Sequence, residues 1–170
     1  MRRAIGSRVA QAAAQFGYPV AGWARSKREL AGVDVFAGAE QLPALLSRTR
    51  VLVNTLPLTP ETRDILNRDT LAQLLPQAHV INVGRGQHLV EKDLLDAIER
   101  GHVAGATLDV FRTEPLPAGH PFWRHPAITV TPHASARTLR DESIAQIADK
   151  IRQLQRGEAI TGVVDRVRGY

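Results

Sequence analysis

The stretch "AHVINVGRGQHLVEKDLLDAIERGHVAGATLDV", residues 78–110, decides the fold. Its first six residues form a short apolar piece that reads as a strand, and Gly84-Arg85-Gly86 then breaks the run. Residues 92–101 have helical spacing and stop at a glycine, and residues 105–110 form a second apolar strand. Strand, helix and strand in that order predict a crossover between two parallel neighbours.

Outward from this unit the alternation continues. Apolar pieces at 18–24, 33–36, 51–55 and 128–130 read as further short strands, with helical candidates at 39–47 and 68–75. Val9, Ala12, Ala13 and Phe16 are spaced as a helix packing one face inward and ended by Gly17. Residues 138–156 return to helical periodicity, and the tail 157–170 is short and polar enough to lie over another surface. The stretch 112–126, "RTEPLPAGHPFWRHP", holds four prolines, which forbid a long helix and favour an ordered loop. The whole predicts an α/β protein with a doubly wound parallel sheet covered on both faces.

Twenty-two Lys and Arg against 17 Asp and Glu give a net charge of +5, so an anionic partner has to be considered. The charges are scattered, and Arg25, Lys27 and Arg28 form the compact basic cluster. Aromatic residues make up 5% of the chain, with no zinc-finger, ribonucleoprotein or heptad signature, so a nucleic-acid partner is not expected. The absence of cysteine excludes disulfides and thiolate metal sites. No apolar run approaches the roughly 20 residues a spanning helix needs, and the start lacks a signal peptide's apolar core. A cytoplasmic protein with no membrane partner is the expectation.

In an open parallel sheet, ligands collect at the carboxyl ends of strands. Gly6, Ser7 and Arg8, at the head of the first helix, would direct backbone N–H groups at a pyrophosphate, although taken alone they read better as a plain helix start. After the next strand come Arg25, Ser26, Lys27 and Arg28, where a dinucleotide fold usually places an acid for the adenosine ribose. Cations and a hydroxyl there suit a 2′-phosphate and favour NADPH over NADH, the alternative being a solvated basic loop. Leu56 and Pro57 follow as a turn able to wall an adenine. Arg85 is held between two glycines and can present a fork to a carboxylate, or stand as an exposed turn arginine. Asp109 and Glu114 follow the next strand, and His133 follows the last. A histidine can deliver a proton near neutrality, and a carboxylate partner raises its pKa and fixes its tautomer.

Together these residues resemble the D-isomer-specific 2-hydroxyacid dehydrogenases, and within them the glyoxylate/hydroxypyruvate reductase branch. The match rests on "IGSRVA", "WARSKRE", "RVLVNTLPLTPET", "INVGRGQHLVEKDLLDAIERG", "GATLDVFRTEPLP" and "FWRHPAITVTPHASA", together with the terminal "GEAITGVVDRVRGY". The resemblance implies an NADPH-dependent reduction of a small 2-oxoacid, glyoxylate or hydroxypyruvate, with NADH less preferred and no metal. It implies that Arg85 holds the carboxylate and polarises the ketone, that His133 protonates the oxygen, and that Glu114 keeps His133 protonated. Asp109 would contact the nicotinamide carboxamide, with Val83 and Gly84 lining the cofactor beside Arg85. Gly6, Ser7 and Arg8 would face the pyrophosphate, Trp23, Arg25, Ser26 and Lys27 the adenosine end and its 2′-phosphate, and Leu56 and Pro57 the adenine and ribose. A homodimer through the nucleotide domain, including 121–126, is also implied.

The resemblance has one large departure. Met1 and Arg3 stand where the family has the first two glycines of its G-x-G-x-x-G, and the substrate domain and the first central strand are missing. Residues 1–143 are therefore expected to be a Rossmann-like NAD(P)-binding domain lacking its first central strand. Residues 144–170 are expected to be a helix and tail that in the family pack partly on the missing domain. The strands flanking the absent one would close up or stay apart around a gap, and this piece is expected to be catalytically incomplete. A dinucleotide-binding module without catalysis, or a truncated gene product, is the alternative.

Overall fold

The computed structural model of the chain describes residues 5–135 and 140–164. Strands β4 (Ala78–Asn82) and β5 (Val103–Leu108) pair in parallel at its centre, joined through helix α4 (Glu91–Glu99). This is the crossover expected from 78–110. Val80, Ala106 and Leu108 are fully buried, and Leu94 brings α4 down on the same core. Glu91 and Asp93 in the first turn of α4 complement its dipole, and Gly101, at φ 71°, lets the chain turn back for β5.

Flanking this pair are β3 (Val51–Asn54) and β6 (Ile128–Val130), giving one parallel sheet in the order β3-β4-β5-β6. Strands β1 (Ala21–Ala24) and β2 (Asp34–Ala37) form a separate parallel pair. Among the described residues no ladder joins β1 to β3. Of the two outcomes expected for β1 and β3, the one observed among the described residues is that they stay unpaired with each other. Among the described residues β4 is the ladder partner of β3, and the β3 side chains of Val51 and Val53 stand exposed.

Several expected elements are shorter than their apolar patterns. The helix expected at 39–47 is a 3₁₀ turn at Ala39–Gln41 followed by α2 (Leu42–Leu46), with Pro43 in its first turn. Helix α3 (Arg68–Ala72) ends before the expected residue 75, its last turn tightening as Gln73 and Leu74 N–H donate to the Thr70 and Leu71 carbonyls. Its start is firm: the Asn67 side chain accepts from the N–H groups of Asp69 and Thr70, while the Thr70 hydroxyl accepts from Asn67 N–H. Asn67→Ala is expected to lower stability by about 1 kcal/mol, read as a shift in urea midpoint with unchanged slope.

Helix α1 (Ile5–Gln15) forms where expected and ends at Gly17, at φ 81°, but it buries no residue. Phe16 is 82% exposed, so the inward-facing stripe read from the spacing is not covered. Helix α5 (Arg140–Gln155) likewise buries no residue, and Ile144, Ile147, Ile151 and Leu154 are each more than half exposed. The 112–126 stretch is a loop with one 3₁₀ turn at Pro121–Arg124, as its prolines require. No helix among the described residues is long and apolar enough to cross a membrane. The expectations placed on Met1, Arg3, the helix start at 138–139 and the tail beyond 164 lie outside the described residues.

Candidate active site

All strands of each sheet run in parallel, so their carboxyl ends share one edge. On the four-stranded sheet this brings the loops after β4, β5 and β6 together around an open depression of about 350 Å³. Arg85, Gly86, Gln87, Phe111, Arg112, Glu114 and His133 line it. Three residues singled out in the sequence, Arg85, Glu114 and His133, therefore meet in one place. A second depression of about 380 Å³, at Gln11, Ala14, Gln15 and Ala31, offers no charged group among its lining residues.

His133 and Glu114 form a direct pair, with Nδ1 to Oε2 at 2.8 Å. The other Glu114 oxygen accepts from Phe111 N–H at 2.9 Å, which aims the carboxylate. Partial burial works to raise the Glu114 pKa, but the His133 hydrogen bond, the Phe111 N–H and the Arg85 cation outweigh it. The group is held below the usual glutamate value. A carboxylate on Nδ1 leaves Nε2 of His133 as the nitrogen turned to other chemistry. His133 itself adopts φ 52°, a left-handed conformation that an L-residue takes only when its surroundings impose it.

Asp109 imposes it. This carboxylate is 1% exposed and accepts from Thr131 Oγ1 at 2.5 Å, Ala134 N–H at 2.8 Å and Ser135 N–H at 3.0 Å, so it grips the loop on both sides of His133. Burial alone would raise its pKa, and the Ser135 and Thr131 hydroxyls with the Ala134 and Ser135 N–H groups lower it to about 2. The family resemblance implied Asp109 as a cofactor contact. The geometry adds the anchoring of the His133 loop, which no local pattern signals because its partners lie more than 20 positions away.

Arg85 is exposed, and its Nη1 donates to Gly84 O at 2.7 Å. Of the two glycines around it, Gly86 is sterically required and Gly84 is tightly fitted. A Cβ on Gly84 would sit 3.0 Å from Asn54 Nδ2 and 3.1 Å from His88 Nδ1, and one on Gly86 would overlap the Phe111 carbonyl and Arg112 N. Sequence reasoning missed Arg112, which also lines the depression. Its guanidinium pairs with Asp64 and donates to Leu89 O at 2.7 Å, so its charge is committed to the frame. It also missed Asn54, Asn82 and His88, all buried beneath the arginine loop.

The residues expected at the cofactor are spread along the same edge. Gly6 lies in the first turn of α1 against the exit of β3, where a Cβ would stand 2.7 Å from Thr55 Oγ1. Arg25, Ser26 and Lys27 are exposed directly after β1, and the Arg25 charge reaches Glu61 in the turn beyond Leu56 and Pro57. Trp23 lies within β1, and its indole N–H is spent on Gly38 O at 2.7 Å.

Residues 4–135 match the family model described as D-isomer specific 2-hydroxyacid dehydrogenase, NAD binding domain. The chain is 52% identical to glyoxylate/hydroxypyruvate reductase A of Serratia proteamaculans over 166 residues, 98% of this chain and 53% of that protein. It is similar to the crystal structure of a D-isomer specific 2-hydroxyacid dehydrogenase from Xanthobacter autotrophicus in complex with NADPH and MES. There the TM-score is 0.95 and the identity 42%, covering 98% of this chain and 69% of that one. The NADPH-dependent glyoxylate/hydroxypyruvate reductase from Sinorhizobium meliloti, in complex with NADP and sulfate, superposes with a TM-score of 0.94 at 39% identity, covering 98% and 54%. The chain spans about half the length of the curated relatives it matches.

Proposed function

The chain belongs to the D-isomer specific 2-hydroxyacid dehydrogenases, and on that premise we propose that it carries the nucleotide-binding and proton-donating half of an NADPH-dependent 2-oxoacid reductase. Glyoxylate and hydroxypyruvate are the proposed substrates. The observation that carries this reading is the meeting of Arg85 with the His133–Glu114 pair in one open depression. When bound, NADPH supplies the hydride. Arg85 presents two parallel N–H donors to the substrate carboxylate and draws electron density from the adjacent ketone. His133 gives its proton from Nε2 to the ketone oxygen, and Glu114 on Nδ1 balances the imidazolium before transfer. Gly6, Ser7 and Arg8 receive the pyrophosphate, Arg25, Ser26 and Lys27 with Trp23 the adenosine end, and Leu56 and Pro57 its adenine and ribose. Val83, Gly84 and Asp109 border the nicotinamide. The half-exposed Trp123, in the turn at Pro121–Arg124, supports a homodimer of the whole reductase through this domain.

Titration of the purified chain with NADPH and NADH tests the cofactor assignment. NADPH is expected to bind more tightly. Replacing Arg25 and Lys27 together by alanine is expected to weaken NADPH about tenfold or more, the loss of charge-assisted contacts to a phosphate, and to leave NADH unchanged. Equal loss for both cofactors would overturn the 2′-phosphate site.

A further inference from the structure

His88 is fully buried, and no part of the proton transfer above uses it. Its Nδ1 faces two donors, the backbone N–H of Arg85 at 3.2 Å and the side-chain amide of Asn54 at 2.9 Å. Its Nε2 faces an acceptor, the carbonyl of Pro57 at 3.3 Å. Only one form of the ring satisfies all three: neutral, with its hydrogen on Nε2. Burial, together with the nearby Arg85 cation, lowers the His88 pKa, which favours that neutral form.

The second side of the arginine is held as tightly. Asn82 Nδ2 donates to Arg85 O at 3.1 Å, while Asn82 Oδ1 accepts from Gly84 N–H at 3.1 Å and from Asn54 Nδ2 at 2.8 Å. Asn54 in turn accepts from Leu56 N–H at 3.1 Å. Arg85 is exposed, yet its backbone N–H ends on buried His88 in the turn after β4 and its carbonyl accepts from buried Asn82 of β4, with Asn54 of β3 bracing both side chains. A guanidinium on a freely moving turn would lose entropy on gripping a ligand, and one on a clamped backbone loses less.

We infer that His88 is a positioning residue for Arg85: its neutral imidazole hangs the arginine's backbone N–H on the Pro57 carbonyl and sets the point from which the guanidinium reaches a carboxylate. This rests on the reading of Arg85 as the carboxylate-binding group. Because Leu56 and Pro57 belong to the proposed cofactor wall, the same links make that wall and the arginine loop one rigid piece.

Nitrogen-15 NMR of the labelled full chain at about pH 7 tests the inference without requiring turnover. The expected His88 signature is a neutral ring protonated at Nε2, with a coupling across the hydrogen bond from Nδ1 to the Arg85 amide. A ring protonated at Nδ1, or no coupling, would overturn it. Two variants add a second readout, hydrogen exchange at the Arg85 amide. His88→Asn places Oδ1 where Nδ1 stood and is expected to keep the protection. His88→Leu fills the space without an acceptor and is expected to speed exchange roughly five- to tenfold, the loss of one neutral hydrogen bond, while the β5 amides keep theirs. Equal exchange at Arg85 in all three proteins would also overturn it. Should His88→Leu fail to fold, the ring signature of the unmodified chain still decides. Titration with oxalate, followed at the Arg85 Nε–H, separates the two claims. An expected ring signature with no oxalate response would sink the carboxylate reading and leave the clamp standing. An oxalate response that is tenfold weaker in His88→Leu and restored in His88→Asn is the result both claims expect.

Discussion

Gly86→Ala is expected to destabilise the chain by about 3 kcal/mol, the upper end of what overpacking a buried position costs. The added Cβ would overlap the Phe111 carbonyl and the Arg112 N–H, which are backbone atoms and cannot rotate away. Relief therefore requires the arginine turn to lift from the exit of β5, and this separates Arg85 from the loop that carries Glu114. The lift also strains the parallel contact between Leu66 and Leu89, because Leu89 N–H donates to Gly86 O at 3.0 Å. Chemical denaturation gives the stability change. Gly119→Ala is the control: a Cβ there meets nothing within 4 Å, and its effect is expected to stay within about 0.5 kcal/mol. Comparable losses in both variants would show that the arginine turn is not seated as described.

Asp109→Ala is expected to cost a similar amount, about 3 kcal/mol, for a different reason. It leaves the Thr131 hydroxyl and two backbone N–H groups without their charged acceptor, and a hydrogen bond to a buried charge is worth roughly 1.5–3 kcal/mol. Losing that grip releases the chain on both sides of His133, which sits at φ 52°, so the His133–Glu114 hydrogen bond is expected to loosen as well.

The sign of the pH dependence follows from the lowered Asp109 pKa, about 2 in the folded chain against an ordinary 3.8. A group depressed in the folded state stabilises above its unfolded pKa, and that stabilisation fades as pH falls through the folded value. Asp109 thus adds roughly 2 kcal/mol near neutrality, beginning to be lost below pH ~5, mostly lost at pH ~2 and gone near pH ~1. Asp109→Asn, which cannot titrate, is expected to show a stability deficit at pH ~6 that shrinks as the pH is lowered toward 2. A constant deficit across that range would refute the assignment.

Much of the site was legible because strand exits in a parallel sheet are local features. The ends of β4, β5 and β6 were placed to within two residues by their apolar runs, so Arg85, Glu114 and His133 were marked as neighbours. Gly84 and Gly86 flagged the tight turn before any packing was known. Less legible were the lengths of α2 and α3 and the uncovered faces of α1 and α5. An apolar stripe records what a helix is built to bury, whereas exposure depends on what lies against it.

By itself, the sequence determined the order of strands and helices, the parallel pairing of β4 with β5, and the residue types at each carboxyl end. Those follow from periodicity, glycine and proline, which act over a few residues. Only the tertiary structure decided that β1 and β2 stand apart from the other four strands, that Asp109 spends its carboxylate on the His133 loop, and that His88, Asn54 and Asn82 carry the backbone of Arg85. Asn54 and Asn82 are 28 positions apart and meet because the β3–β4 register sets them side by side, and Asp109 reaches Ala134 across 25. Such partners are chosen by ladder register and burial, since a polar group carried into the core must find its hydrogen bonds among whatever the fold brings within reach.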